Sequence, residues 1–201
     1  MKDSKLLKPV LATLLFFWTT LAIASSSILP NVSITEVGDS KKVKVSIWDL
    51  KEDAKVTITN DNGGILLSER ANGPRFSKLY NLELLESGTY LVNIQTGQKE
   101  VEQLINISKS DLKIDPKQRR EFLLPLVKLE KEMVNVMMLN RRITEVTVKI
   151  MGTNGEVLYT DELGSVVKVE KRYDLAALDK GRYQVVIQTP EKTYYRDILN
   201  D

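Results

Sequence analysis

Apolar and polar residues alternate with a period of two through most of the chain beyond residue 31. Val43, Val45 and Ile47 interleave with Lys44 and Ser46, and Val92 and Ile94 with Asn93 and Gln95 after Tyr90. Side chains of a strand point alternately to its two faces, so this pattern predicts half-buried strands. It predicts them at 32–37, 43–48, 55–59, 65–68, 76–84, 90–96 and 99–107. A second set follows at 122–131, 134–139, 145–151, 156–160, 166–175, 182–189 and 193–199. Residues 120–132 are also rich in Leu, Lys and Glu, a helical composition, but Pro125 favours a strand with an edge or bend there. Turn residues separate the strands. The strongest signal is Asn60-Asp61-Asn62-Gly63-Gly64, because Asn, Asp and Gly tolerate the left-handed backbone of tight hairpins; Asn154-Gly155 takes that place in the second set.

The two sets are copies. Tyr80, Leu82, Leu85, Gly88, Tyr90, Val92, Ile94, Gln95 and Thr96 recur as Tyr173, Leu175, Leu178, Gly181, Tyr183, Val185, Ile187, Gln188 and Thr189, at a constant offset of 93. Self-similarity at a fixed spacing marks a duplicated unit. Many short strands with frequent turns call for antiparallel sandwiches, not alternating helix and strand. The expected fold is all-β, two tandem immunoglobulin-like, fibronectin III-like sandwiches at 25–108 and 122–201, joined by a charged linker at 109–121. Tyr90 and Tyr183 open the strand after the glycine, where such sandwiches place a tyrosine corner with its ring in the core and its hydroxyl on nearby backbone.

Residues 1–24 break the pattern. Lys2, Lys5 and Lys8 precede an apolar run from Val10 that closes on Ala22-Ile23-Ala24, which reads as a secretory signal. The run falls short of the ~20 residues that cross a bilayer, although an uncleaved anchor is the alternative. No membrane span is expected in the mature chain. Taking the signal's three lysines and one aspartate from the 29 basic and 27 acidic residues leaves 26 of each. A neutral chain has no field to gather nucleic acid.

The sequence has no His and no Cys. That removes the usual general base, metal ligands and catalytic triads together, and with Cys any disulfide. A carboxylate-only hydrolase would need two acids across a cleft, whereas the acidic residues here fall in turns and at outward strand positions. No enzyme activity, cofactor or metal is expected, and Asn60–Gly63 reads as a hairpin turn because it lacks calcium-loop spacing. Binding through exposed aromatics remains. Trp48 falls on the face opposite Val43, Val45 and Ile47; alignment of Tyr194 with Val101 puts Tyr194 inside and Tyr195 outside. Trp48 and Tyr195 are the candidate contacts for an envelope protein or glycan.

The second copy, with Asn154-Gly-Glu-Val-Leu158, Tyr173-Asp-Leu175 and Leu178-Asp-Lys-Gly-Arg-Tyr183-Gln-Val-Val-Ile187, resembles the C-terminal sorting domain of type IX secretion cargo over about 60 residues. The first copy matches less closely. Such domains usually open with a Pro-Asn-Pro stretch, which 122–131 lacks. The resemblance implies a small immunoglobulin-like sandwich recognised by the outer-membrane export apparatus of certain Gram-negative bacteria. The expected function is a non-catalytic structural or interaction module in the periplasm or at the outer-membrane surface; the alternative is a sorting domain.

Overall fold

The computed structural model describes residues 29–201, and the expected signal at 1–24 lies outside the described residues. Among the described residues there are fifteen strands and no helix. The first copy comprises β1 (Asn31–Glu36), β2 (Lys42–Trp48), β3 (Ala54–Thr59), β4 (Ile65–Ala71), β5 (Arg75–Asn81), β6 (Gly88–Gln95) and β7 (Lys99–Ile107), followed by β8 (Leu112–Leu123). The second comprises β9 (Leu126–Glu130), β10 (Met133–Leu139), β11 (Glu145–Gly152), β12 (Val157–Ser165), β13 (Lys168–Asp174), β14 (Gly181–Gln188) and β15 (Thr193–Asn200).

In the first copy one sheet has the order β1-β2-β5 and the other β4-β3-β6-β7-β8; in the second they are β9-β10-β13 and β12-β11-β14-β15. With β8 set aside, the two orders superimpose strand for strand. Every pairing is antiparallel. The fourth strand of each copy joins the third, not the first sheet, which gives the fibronectin III-like variant of the immunoglobulin sandwich. The alternation predicted from sequence lies on the inner faces: Val43, Val45, Ile47, Val56, Ile58, Val92 and Ile94 fill the first core, and Val134, Val136, Val148, Val185 and Ile187 the second.

The copies also share local irregularities. Each third-to-fourth-strand hairpin has a register shift just before its turn, between Ile58 and Thr59 and between Ile150 and Met151. Gly63 (φ 76°) and Gly155 (φ 82°) close those turns in a backbone region that other residues enter at a cost.

Three sequence expectations change. The strand at 76–84 ends at Asn81. The Asn81 side chain accepts the Glu83 amide at 3.0 Å, Leu85 N–H bonds Leu82 O, and Leu84 is 99% exposed. An asparagine that satisfies local backbone competes with the ladder and turns the chain. Second, 109–121 is no linker, because most of it is β8, paired along β7. Ile105 pairs with Ile114 and Gln103 with Arg119, so residues 115–118 bulge out, and Pro116 sits where no ladder amide is required. The buried Gln103 amide fills the gap, donating to Leu104 O and Asp115 O at 2.9 Å each. Third, 122–131 is not one strand: Phe122 and Leu123 finish β8, and β9 begins after Pro125. Alternation survived these changes because β8 also has a buried face, with Leu112 fully covered.

Candidate functional site

Each copy ends in a hairpin built on Thr-x-x-Lys. Thr96 and Thr189 each pair their amide and hydroxyl with the carbonyl of the lysine three residues on, Lys99 and Lys192. The same turn thus presents a lysine at the head of the last strand in both copies, with different outcomes. Lys99 stays within its own copy, 2.9 Å from Glu121 on β8. Lys192 reaches across to the first copy, 2.6 Å from Glu100 Oε2 and 3.0 Å from Glu102 Oε1 on β7.

Three of the four oxygens of those two buried glutamates accept hydrogen bonds or lie against Lys192, and the fourth, Glu102 Oε2, has an ion-pair neighbour but accepts no hydrogen bond. Asn93 donates to Glu100 Oε1 at 2.6 Å, and Arg120 lies 2.7 Å from Glu102 Oε2. The Phe122 ring lies beneath the cations, with Lys192 Nζ 4.8 Å and the Arg120 guanidinium 5.8 Å from its centroid. Arg142 and Glu191 pair at the margin. Burial, then the charges of Glu100, Glu191 and Glu102, push the Tyr194 hydroxyl up to about 12. This is a charge-paired cluster in the seam between the sandwiches, with each glutamate beside a cation, and its arrangement is that of a fastening. Sequence reasoning missed it, although the recurrence of Thr96-x-x-Lys99 as Thr189-x-x-Lys192 was visible.

A second duplicated device ties the two sheets of each sandwich at the opposite rim. Tyr80 on β5 donates its hydroxyl to Glu69 on β4 at 3.1 Å, with Lys78 Nζ 2.7 Å from the same carboxylate. Tyr173 on β13 donates to Asp161 on β12 at 3.0 Å, with Lys171 3.4 Å away. The Lys78 hydrogen bond, helped by Tyr80 and opposed by burial, holds the Glu69 carboxyl below its ordinary range. Burial, then the bond to its acid, raises each tyrosine well above its ordinary value.

Tyr90 donates to the carbonyl of Glu86 at 2.9 Å, and Tyr183 to that of Asp179 at 2.6 Å, four residues back in each case. Trp48, 39% exposed, ends β2 on the three-stranded sheet of the first copy; Tyr195, 56% exposed, lies on β15 in the four-stranded sheet of the second. Being on different sheets of different sandwiches, they are not gathered into one site. Among the described residues no group of three or more acidic side chains is placed to hold a metal ion, and no helix is long and apolar enough to cross a membrane.

The strand orders define a tandem of immunoglobulin-like, fibronectin III-type sandwiches. Residues 31–108, which span β1 to β7, match the family described as the secretion system C-terminal sorting domain. The match falls on the first copy, whereas the sequence resemblance was drawn most strongly on the second. Of the residues that carry the resemblance, Tyr173, Leu175, Leu178, Gly181, Tyr183, Val185 and Ile187 have identical counterparts in the first copy.

No curated protein matches the chain. Solved structures that it resembles include a biofilm associated protein BSP domain (15% identity, TM-score 0.28), with 84% of this chain and 29% of that one covered. Others are Escherichia coli alpha-2-macroglobulin spanning domains NIE-MG1 (11%, TM-score 0.29, 87% and 99% covered) and chicken CNTN1 FN1–FN3 domains (10%, TM-score 0.28, 86% and 64% covered). The chain thus spans less than a third of the BSP-domain protein. The fold assignment stands on strand order and register.

Proposed function

We propose that this chain is a non-catalytic module of the bacterial cell envelope, carried to the outer surface by type IX secretion, with the first sandwich as the part the export apparatus reads. The observation that carries this reading is the coincidence of the sorting-domain match with one sandwich, β1 to β7. The absence of His and Cys from the sequence supports a role without catalysis. The ion cluster at Lys192 supports a body delivered as one piece, because pulling the sandwiches apart would break both ion pairs that Lys192 makes across the seam.

The test fuses the mature chain to the C-terminus of a periplasmic reporter in a bacterium with a working type IX system. The reporter is expected on the cell surface, and in the periplasm when the translocon is deleted. Periplasmic retention in the competent strain would contradict the proposal.

A second reading, contact with an envelope protein or glycan, is favoured by the exposure of Trp48 and Tyr195. Replacing both by Ala is expected to lower attachment of the displayed chain to isolated envelopes without affecting export; unchanged attachment would remove these two residues from consideration.

A further inference from the structure

The duplication supplies an internal comparison at one sheet edge. In the first copy the last strand of the sandwich, β7, is covered by β8. Ile105 and Ile107 on β7 pair with Ile114 and Leu112, and Ile105 is fully buried. In the second copy the last strand, β15, is the sheet's outer strand, and no strand among the described residues pairs with its far side. β9 of the opposing sheet approaches it without pairing. Ile198, which corresponds to Ile105, is left half-buried. Arg196 corresponds to Gln103; it donates only to the carbonyl of Tyr195 at 2.9 Å and forms no ion pair among the described residues.

The other outer strands are guarded in ways that discourage pairing. β4, β8 and β12 carry register shifts. β9 is short and follows Pro125, and β13 carries Lys168, Glu170, Lys171 and Arg172. β5 carries Arg75 and Lys78, and Lys78 is tied to Glu69. β1 is crossed by Arg119 of β8, which donates to Val32 O at 2.9 Å. β15 carries two charges, Arg196 and Asp197, but no register shift, and no arginine or lysine of a neighbouring strand crosses it among the described residues. It keeps eight residues in unbroken register with β14, from Asn200 opposite Gly181 to Thr193 opposite Gln188, and contains no Pro, Gly or Lys.

We propose that the free edge of β15 is a docking site for an extended segment of another protein, added antiparallel as a fifth strand in the place that β8 holds on β7. The ladder supplies the attachment, and two inward-facing side chains supply selectivity. Read from its N-terminus, the incoming strand places an apolar residue over Ile198, as Ile114 lies opposite Ile105, and two positions later a carboxylate opposite the unpaired Arg196. This site is independent of how the chain is exported.

The test uses the mature full-length chain and a synthetic ten-residue peptide of alternating Thr and Val with Ile-Thr-Glu at its centre, and reads binding by calorimetry and amide hydrogen exchange. The expected result is saturable binding with new exchange protection confined to β15. Arg196→Glu, a half-exposed position that leaves the core intact, is expected to weaken binding about tenfold or more, and a peptide with Ile-Thr-Lys at its centre to restore it. No protection of β15 at millimolar peptide would overturn the proposal. Equal protection of β5 or β12, or Arg196→Glu without effect, would do the same. So would concentration-dependent protection of β15 without peptide, which would make a second copy of this chain the occupant.

Discussion

At single residues, the backbone and the rim tyrosines give the sharpest expectations. Ile143 adopts φ 53°, a left-handed conformation that a β-branched side chain resists, and it is 52% exposed, so little packing offsets the strain. Ile143→Asn is expected to raise stability by about 0.5–1 kcal/mol in chemical denaturation; a loss would show that the side chain contributes more than its backbone costs. Glu69 and Glu121 both titrate below the ordinary carboxylate range. Lys78 is the main cause at Glu69. At Glu121 burial works the other way and is outweighed by the hydrogen bonds from Lys99 and Arg119. A lowered folded value stabilises fully above the unfolded value and is lost as the pH falls through the folded one, so melting temperature should decline below about pH 4. Tyr80 and Tyr173 are raised, which stabilises below their ordinary value near 10 and is lost on going higher, so a second decline is expected above about pH 10. Tyr80→Phe and Tyr173→Phe should each cost about 1 kcal/mol at neutral pH and flatten the alkaline decline; an unchanged alkaline slope in the double variant would contradict these assignments. Such pairings were illegible in sequence because Glu69 and Tyr80 lie on different strands, and nothing local to either names its partner.

At the scale of elements, periodicity was a reliable guide wherever one face of a strand is buried, as in β2, β3, β6, β11 and β14. It failed where alternation continued without a ladder, as at Leu82 and Leu84, where Asn81 ends the strand by satisfying local backbone. It misjudged β8, whose Lys, Arg and Pro read as a linker because its outer side is solvated and its bulge takes up Pro116. The seam between the sandwiches depends on pairs far apart in the chain, of which only the repeated Thr-x-x-Lys is local. Lys192→Met leaves Glu100 and Glu102 without their shared cation and is expected to cost roughly 3 kcal/mol. It should also separate the unfolding of the two sandwiches in calorimetry; a variant that melts as the native chain does would show the seam to be passive.

For the whole molecule, the duplication, the all-β class and the absence of His and Cys were evident from sequence alone; which copy matches the sorting family, and what closes each sheet edge, were not. The first core holds eighteen buried apolar residues and the second twelve, a difference enlarged by β8, which covers Ile105 and adds Leu112. With each fully buried side chain contributing on the order of 2 kcal/mol before entropy, the second sandwich is expected to unfold first on heating. The most direct measurement is native-state amide hydrogen exchange across residues 29–201. Two copies of one sandwich, with β8 built into the first, predict matching slow sets in β2, β3, β6 and β7 and in β10, β11 and β14, and slow amides on both sides of the 115–118 bulge. Unrelated slow sets in the two copies, or residues 112–123 exchanging at the rate of a free linker, would contradict it.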